Sequence, residues 1–335
     1  MSKKDKSRTP HLSLSHLIQR ALDSQQFFYS FEYSASRDPN PDDLFERISR
    51  MTSSLKPLWI DVTWGFGNVG QRSIEMCRRV QKNLSVPCLL HFILTDRTTI
   101  QLETDLAKAR AAGVRSILAL RGYTQAGYDA WQPCEVRKGE VPPPQHADGL
   151  IRFIKERHQD WFSIGVAGFP EGHPESKDDL DKDVEHLKLK VDAGAEFIIC
   201  QFCFDAVVFA AFVTRCRDIG IDVPILPGVM PLTEYSTAKL LSETWGVRLT
   251  ANIEKKLKDC EESGETERGI ECGEEFVTEL CRDFLRVQSE GVNTTGTAIS
   301  GGGLHFFVYD AEWEVRRLLS ALSENTIDNE KKQHA

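Results

Sequence analysis

Short apolar segments recur along the whole 335-residue chain, and there are eight of them, each about five to eight residues long. Several are almost continuous in Val, Ile, Leu and Phe, which is typical of strands buried on both faces, as in a parallel sheet. The segments are Phe27–Tyr33, Leu58–Trp64, Cys88–Leu94, Val114–Leu120, Ser163–Phe169, Phe197–Phe204, Val223–Val229 and Leu304–Tyr309.

Amphipathic helical patterns separate these segments. Val184, Leu187 and Val191, for example, are spaced i, i+3 and i+7, as on one face of a helix. Eight strands that alternate with helices indicate a (β/α)8 barrel. The alternative is a doubly wound open sheet, which usually has fewer strands and a glycine-rich turn after the first one. Here the first strand continues into residues 34–39 without a glycine, which favours the barrel.

The sequence therefore predicts an α/β fold, a single-domain (β/α)8 TIM barrel over residues 26–323. Residues 1–25 are expected to form a tail and a lead-in helix, and residues 324–335 a disordered tail, because both ends are polar and charge-rich. The longest interval between strands lies between the seventh and the eighth. It is expected to hold an extra helical segment, Ile253–Lys258 and Glu274–Gln288.

Charge and cysteine content exclude several classes of protein. The chain has 41 basic and 50 acidic residues, a net charge of −9, which argues against a nucleic-acid binder. Its apolar runs are too short for a membrane span, and its N-terminus has no apolar signal region. Nine cysteines without framework spacing indicate a reducing, cytoplasmic location.

A barrel places its active site at the C-terminal ends of its strands, and Glu32 stands out there because it interrupts an aromatic, apolar strand. Burial is expected to raise the pKa of this carboxyl, which suits a general acid. The alternative is a structural carboxylate paired with Arg37 or Arg121. His305 and Tyr309 end the eighth strand, and no role is assigned to them.

Other polar residues near strand ends have competing interpretations. Gln201 suits recognition of a heterocycle edge, or a hydrogen bond to neighbouring backbone. His91 and His173 lack a metal-motif spacing, so core or cofactor contacts are favoured over a metal site. Cys200 and Cys203 lie on a strand with their side chains on opposite faces, which argues against a redox or zinc pair. An unrelated barrel lyase would need a Schiff-base lysine, and no predicted strand contains a lysine.

Several longer motifs occur in the order found in methylenetetrahydrofolate reductase, and the resemblance covers roughly residues 27 to 322. The chain resembles the eukaryotic catalytic domain more closely than the bacterial enzyme. The motifs are Phe31-Glu32-Tyr33, Asp61-Val62-Thr63-Trp64, Ala119-Leu120-Arg121-Gly122, Val166 to Glu175, Lys190 to Ala195 with Gln201, and Pro227 to Pro231.

That resemblance implies a barrel that holds FAD. NADPH or NADH would reduce the flavin, and the flavin would pass a hydride to 5,10-methylenetetrahydrofolate, which gives 5-methyltetrahydrofolate in one-carbon and methionine metabolism. Glu32 matches the acid that protonates the folate and opens its five-membered ring. Gln201, Phe307 and Arg37 match substrate contacts, Gln201 at the pterin and Arg37 in the nicotinamide site. The positions that match FAD contacts are Thr63, Trp64, His91, Arg121, Gly122, Tyr123, His146, Ala147, Phe169, His173, Ser176, Asp183, His186 and Lys190.

The chain departs from the family pattern at the barrel mouth. Tyr123 replaces an aspartate, and Phe307 and Ala311 replace a tyrosine and an arginine of the last strand. The alternative function is therefore a weakened or inactive paralogue with a structural or regulatory role. The eukaryotic enzyme also carries an S-adenosylmethionine-sensing domain, and we expect this chain to lack it. We expect a small-molecule folate substrate, no nucleic-acid or membrane partner, and an oligomer of identical chains or with a paralogue.

Overall fold

A computed structural model of the chain describes residues 13–35, 40–64, 70–95, 97–122, 139–176, 179–289 and 301–333. Its core is a closed barrel of parallel strands in sequential order, with β8 paired to β1, so the predicted TIM barrel is confirmed. The strands are β1 Phe27–Tyr33, β2 Trp59–Val62, β3 Cys88–Ile93, β4 Ser116–Leu120, β5 Ser163–Gly168, β6 Phe197–Phe202, β7 Ile225–Val229 and β8 Gly302–Phe307.

Helices surround this barrel, and side-chain caps fix where several of them begin. Asn40 accepts a hydrogen bond from the Asp42 amide ahead of α2, and Thr98 forms a capping box with Gln101 ahead of α4. The helices are α1 Leu14–Asp23, α2 Pro41–Leu55, α3 Gly70–Leu84, α4 Thr99–Ala111, α5 Ala147–His158, α6 Leu180–Asp192, α7 Ala206–Asp218, α8 Tyr235–Trp245, α9 Ala251–Glu262, α10 Thr266–Ser289 and α11 Glu312–Gln333.

The interval between β7 and β8 contains α8, α9 and α10. The two helical stretches predicted there fall within α9 and α10. The final helix α11 runs from Glu312 to Gln333, and the boundaries proposed for the two terminal tails stay a prediction. Extending an existing helix adds one hydrogen bond per residue without a new nucleation cost, and this allows a polar segment to remain helical. In the described part of the chain, no helix is both long and apolar enough to cross a membrane.

Helix α1 closes the N-terminal end of the barrel. Its side chains Leu14, Ile18 and Ala21 pack in one apolar cluster with Phe28 of β1 and Trp59 of β2. The first amides of α1 donate to two barrel hydroxyls: Leu14 to Ser116 Oγ at 3.4 Å and Ser15 to Ser163 Oγ at 3.2 Å. The barrel is therefore sealed at its N-terminal end, and its open end is the one at which the strands finish.

We predict that Leu14→Ala lowers the free energy of unfolding by roughly 2–5 kcal/mol, because it leaves a cavity under the barrel. Leu14 is fully buried, whereas Leu240 on α8 is 63% exposed. The matched control Leu240→Ala should change stability by less than about 0.5 kcal/mol. Urea denaturation measures both variants. Equal losses in the two would show that α1 does not seal the barrel.

Candidate functional site

A cluster of two carboxylates and two histidines lies inside the barrel near its open end. Alternation along parallel strands turns Glu32 of β1, Asp61 of β2, His91 of β3 and His305 of β8 toward the same interior. All four are buried, and Glu32 is 4% exposed. These four side chains are called the carboxylate–histidine cluster below.

The cluster is held together by direct polar contacts. Oε2 of Glu32 lies 3.2 Å from Nε2 of His305 and 3.6 Å from Nε2 of His91. The same His91 nitrogen lies 3.2 Å from Oδ2 of Asp61. The other His305 nitrogen, Nδ1, is 2.8 Å from the hydroxyl of Ser30. Glu32 Oε1 accepts a hydrogen bond of 2.9 Å from the hydroxyl of Tyr309.

Burial raises the pKa of Glu32, but His91, His305 and Tyr309 together outweigh it and hold the pKa below its ordinary value. The expectation of a raised pKa is therefore wrong. Burial lowers the pKa of His91, yet the charges of Glu32 and Asp61 and the hydrogen bond to Asp61 raise it overall. The buried site therefore favours a charged Glu32 beside a protonated His91.

The predicted ion pair between Glu32 and Arg121 or Arg37 is not among the contacts of Glu32 in the described residues. Arg121 donates to Oε2 of Glu175 at 2.5 Å instead, and Arg37 lies outside the described residues. Glu32, Asp61 and His91 each offer one ligand atom within 4.8 Å of the others, a separation that a metal ion could also bridge. The positive charge of a protonated His91 lies between these two carboxylates and compensates them without a metal ion.

Cationic residues occupy a second part of the open end, where β4 and β5 finish. Lys190 on α6 donates a hydrogen bond of 3.4 Å to the backbone carbonyl of Ala167. Burial lowers the pKa of Lys190 to about 8, with Asp183 and Asp148 raising it and Arg121 lowering it further. Because the charge of Arg121 disfavours the protonated form of Lys190 in this partly buried site, a bound anion would stabilise both cations.

Asp183 organises the loop between β5 and α6. Its Oδ2 accepts from the backbone amide of His173 at 2.5 Å, and its Oδ1 accepts from the hydroxyl of Ser176 at 2.6 Å. The ring of Phe169 packs edge-on against His173 with centroids 4.6 Å apart. Three predicted cofactor residues, Phe169, His173 and Ser176, thus lie in one loop, which Asp183 of α6 anchors.

Gly122 follows β4 with a φ of +84°, and a Cβ there would lie 2.6 Å from Oγ1 of Thr95. Thr95 in turn donates to the carbonyl of Arg121 at 2.9 Å. A residue with a side chain at position 122 would therefore strain the turn and disturb the backbone that carries Arg121.

Several predicted residues lie apart from these groups. Trp64 is 2% exposed and packs against Phe92 with centroids 4.8 Å apart, on the helix side of the barrel. His146 precedes α5 and is exposed, as is His186 on α6, while Ala147 is buried at the start of α5. Tyr123 lies outside the described residues.

Of the predicted substrate residues, Gln201 lies on β6 and Phe307 lies on β8, one of the strands of the cluster. Oε1 of Gln201 accepts from the Phe202 amide at 3.2 Å, which is the backbone alternative considered for it. Phe307 is buried against His305, with centroids 5.0 Å apart. Thr63, a predicted cofactor contact, donates to the hydroxyl of Ser34 at 3.3 Å. The Gln201 contact fixes one end of its amide and orients the NH2 group.

The predicted site list omitted Asp61, His305 and Tyr309. Alternation along the strands could have identified the first two. Asp61 lies two residues after Trp59 and His305 two residues after Gly303, and Trp59 and Gly303 both face the barrel interior. The contact between Tyr309 and Glu32 depends on a local turn of the backbone and has no such signal.

The family model for methylenetetrahydrofolate reductase matches residues 17–298. The chain belongs to the methylenetetrahydrofolate reductase family. Methylenetetrahydrofolate reductase 1 of Schizosaccharomyces pombe is 32% identical over 299 residues, which cover 88% of this chain and 45% of the relative. Methylenetetrahydrofolate reductase (NADH) 1 of Arabidopsis thaliana is 30% identical over 278 residues, or 80% of this chain and 45% of the relative.

This member of the family therefore spans about half the length of the curated relatives it matches. Among solved structures, an uncharacterized Clostridium thermocellum protein that binds two copies of 5-methyl-5,6,7,8-tetrahydrofolic acid has the same fold. Its TM-score is 0.56 at 12% identity, over 93% of this chain and 99% of that one.

We predict that Glu32→Gln lowers the pKa of His91, because it removes a negative charge that stabilises the imidazolium. NMR titration of the histidine ring protons measures this pKa. The control Glu279→Gln removes an exposed carboxylate on α10 and should leave the His91 titration unchanged. If His91 titrates identically in Glu32→Gln and in the parent chain, the two side chains are not coupled.

Proposed function

We propose that this chain reduces 5,10-methylenetetrahydrofolate to 5-methyltetrahydrofolate with NADH or NADPH as the reductant and FAD as a bound cofactor. The observation that carries the proposal is a buried acid, Glu32, at the open end of a barrel that belongs to this reductase family. Side chains cannot hold a hydride, so the redox part of the reaction requires a cofactor.

The residues present fit FAD. Lys190 and Arg121 form a partly buried cationic pair that an anionic diphosphate would stabilise, and the loop anchored by Asp183 lies beside them. Lys190, Arg121, His173 and Ser176 would hold the cofactor. When bound, the flavin supplies the chemistry of hydride transfer from the nicotinamide to the folate.

Glu32 supplies the proton that opens the five-membered folate ring. In the carboxylate–histidine cluster, Glu32 and His91 hold one proton between them, either as a carboxylate beside an imidazolium or as a carboxylic acid beside a neutral imidazole. A bound substrate excludes water from the barrel mouth, and exclusion of water favours the neutral pair over two charges. Glu32 is then protonated at the moment when the substrate requires a proton.

Gln201 is proposed to orient the pterin. Its Oε1 is occupied by the Phe202 amide, so its NH2 group is the end available to a ring acceptor. Phe307 offers an apolar surface beside His305, which suits an aromatic substrate ring.

We also propose a cytoplasmic location and an oligomeric assembly for this chain. The eight described cysteines are free, which fits a reducing cytoplasm, and we propose an oligomer of identical chains or with a paralogue.

We predict that Glu32→Gln leaves bleaching of the flavin by NADPH or NADH intact but slows reoxidation by methylenetetrahydrofolate by about 10²-fold or more. Gln keeps the shape and cannot donate an acidic proton. Anaerobic stopped-flow absorbance at the flavin band measures each half-reaction separately. Equal loss of both half-reactions would contradict the acid role, and yellow parent protein that never bleaches would indicate the inactive paralogue.

We predict that FAD binds more weakly as the pH rises through about 8, because Lys190 must be protonated to bind the diphosphate and its pKa is lowered to about 8 by burial. Lys190→Met should weaken binding at pH 7 and abolish the pH dependence between pH 7 and 9. Quenching of FAD fluorescence measures the affinity. The control Lys188→Met, on the same helix, removes a lysine that pairs with Asp192 and should keep the parent profile.

A further inference from the structure

Tyr309 reaches the acid Glu32 from beyond the last strand. Strand β8 ends at Phe307, opposite Glu32 of β1, and His305 lies opposite Ser30, one layer closer to the sealed end. Oε2 of Glu32 therefore faces the buried histidines, whereas Oε1 faces Tyr309 on the open side at 2.9 Å. Tyr309 is partly exposed, unlike the other partners of this carboxyl.

The backbone at Tyr309 adopts a conformation that is uncommon for a residue with a side chain. Its φ is +41°, and this left-handed turn ends the strand two residues earlier than the apolar pattern predicts. Arg47 of α2 stabilises the turn. It donates to the carbonyl of Tyr309, lies 3.1 Å from Asp310 and pairs with Glu312 at 2.5 Å.

Such a costly backbone conformation persists only where its surroundings fix it. The amide of Ala311 closes the same turn on the carbonyl of Val308 at 2.6 Å, and the Val308 amide donates to the Glu32 carbonyl at 3.1 Å. The turn is thus connected both to the backbone and to the carboxyl group of Glu32. Fixing the turn in this way fixes the position of the Tyr309 hydroxyl.

We propose that Tyr309 is a positioning residue for proton transfer by Glu32, and that its hydroxyl fixes the carboxyl oxygen on the open side and connects it to solvent. This inference rests on the proposed function. After Glu32 has given its proton to the substrate, water or buffer protonates the Tyr309 oxygen while the Tyr309 proton passes to Oε1 of Glu32. Tyrosine ends neutral, and the proton that Glu32 shares with His91 is restored.

The pKa of the Glu32 carboxyl depends on the titratable and charged groups that face it. They are His91 from β3, His305 from β8 and Tyr309, with Asp61 of β2 behind His91. Arg47, Asp310 and Glu312 lie around the Tyr309 backbone. A hydroxyl that donates to a carboxylate stabilises its charged form, so removing the hydroxyl must raise the pKa of Glu32.

The decisive variant is Tyr309→Phe, which keeps the ring and removes the hydroxyl. We expect the Glu32 pKa to rise by about one pH unit, on the scale of one charge-assisted hydrogen bond. Carbon-13 NMR of glutamate-labelled protein without added FAD measures it, with the Glu32 signal assigned by its absence in Glu32→Gln. Reoxidation of the reduced flavin by methylenetetrahydrofolate should slow roughly tenfold, with bleaching by NADPH or NADH unchanged.

Tyr33→Phe is the matched control. Tyr33 follows Glu32 on β1, points to the opposite face, and its buried hydroxyl has no hydrogen-bond partner among the described residues. This control should leave both the Glu32 titration and reoxidation unchanged. Tyr309→Leu provides a second test that does not depend on how the Phe variant packs, and it should shift the Glu32 pKa in the same direction.

The outcomes separate this inference from the proposed function. An unchanged Glu32 titration in Tyr309→Phe overturns the contact, whatever the activity. A shifted titration with normal reoxidation overturns the positioning role. If the parent chain does not reduce the folate at all, the proposed function and the catalytic part of this inference fail together, and the NMR titration still decides the contact.

Discussion

The buried carboxylate of Glu32 is tolerated because a closed sheet surrounds it with hydrogen-bond donors. An isolated charge at this depth would be neutralised or expelled. Closure of β8 onto β1 brings His305 beside Glu32, and the next strands bring Asp61 and His91. The cluster therefore exists only in the closed barrel, and so does any chemistry that uses Glu32.

The open end of the barrel divides into two electrostatic regions. The carboxylate–histidine cluster, on β1, β2, β3 and β8, joins two buried carboxylates to two histidines through direct polar contacts. The ends of β4 and β5 carry Arg121, which is paired with Glu175, and Lys190, whose positive charge suits an anion. Both carboxylate oxygens of Asp183 accept hydrogen bonds from the loop that carries His173 and Ser176, and its charge also favours the protonated form of Lys190.

The last strand departs from the family pattern at Phe307, and the tertiary structure changes what that departure means for the site. At the sequence level, Phe307 is the loss of a hydroxyl at the barrel mouth. In the structure, a hydroxyl is present two residues later, on Tyr309, where it bonds to Glu32. The left-handed turn is held by contacts between Arg47 and Tyr309, which are 262 positions apart in the sequence, and no local pattern connects them.

The sequence by itself determined the number of strands, the barrel and the place of Glu32 as a carboxyl in an apolar strand, because each depends on local alternation and on apolar runs. It also located the extra helices after β7. Only the tertiary structure decided the pKa of Glu32, the partner of Arg121 and the place of Tyr309. Those depend on which side chains from distant strands meet, and in a buried site a neighbouring charge or donor at about 3 Å can outweigh burial itself.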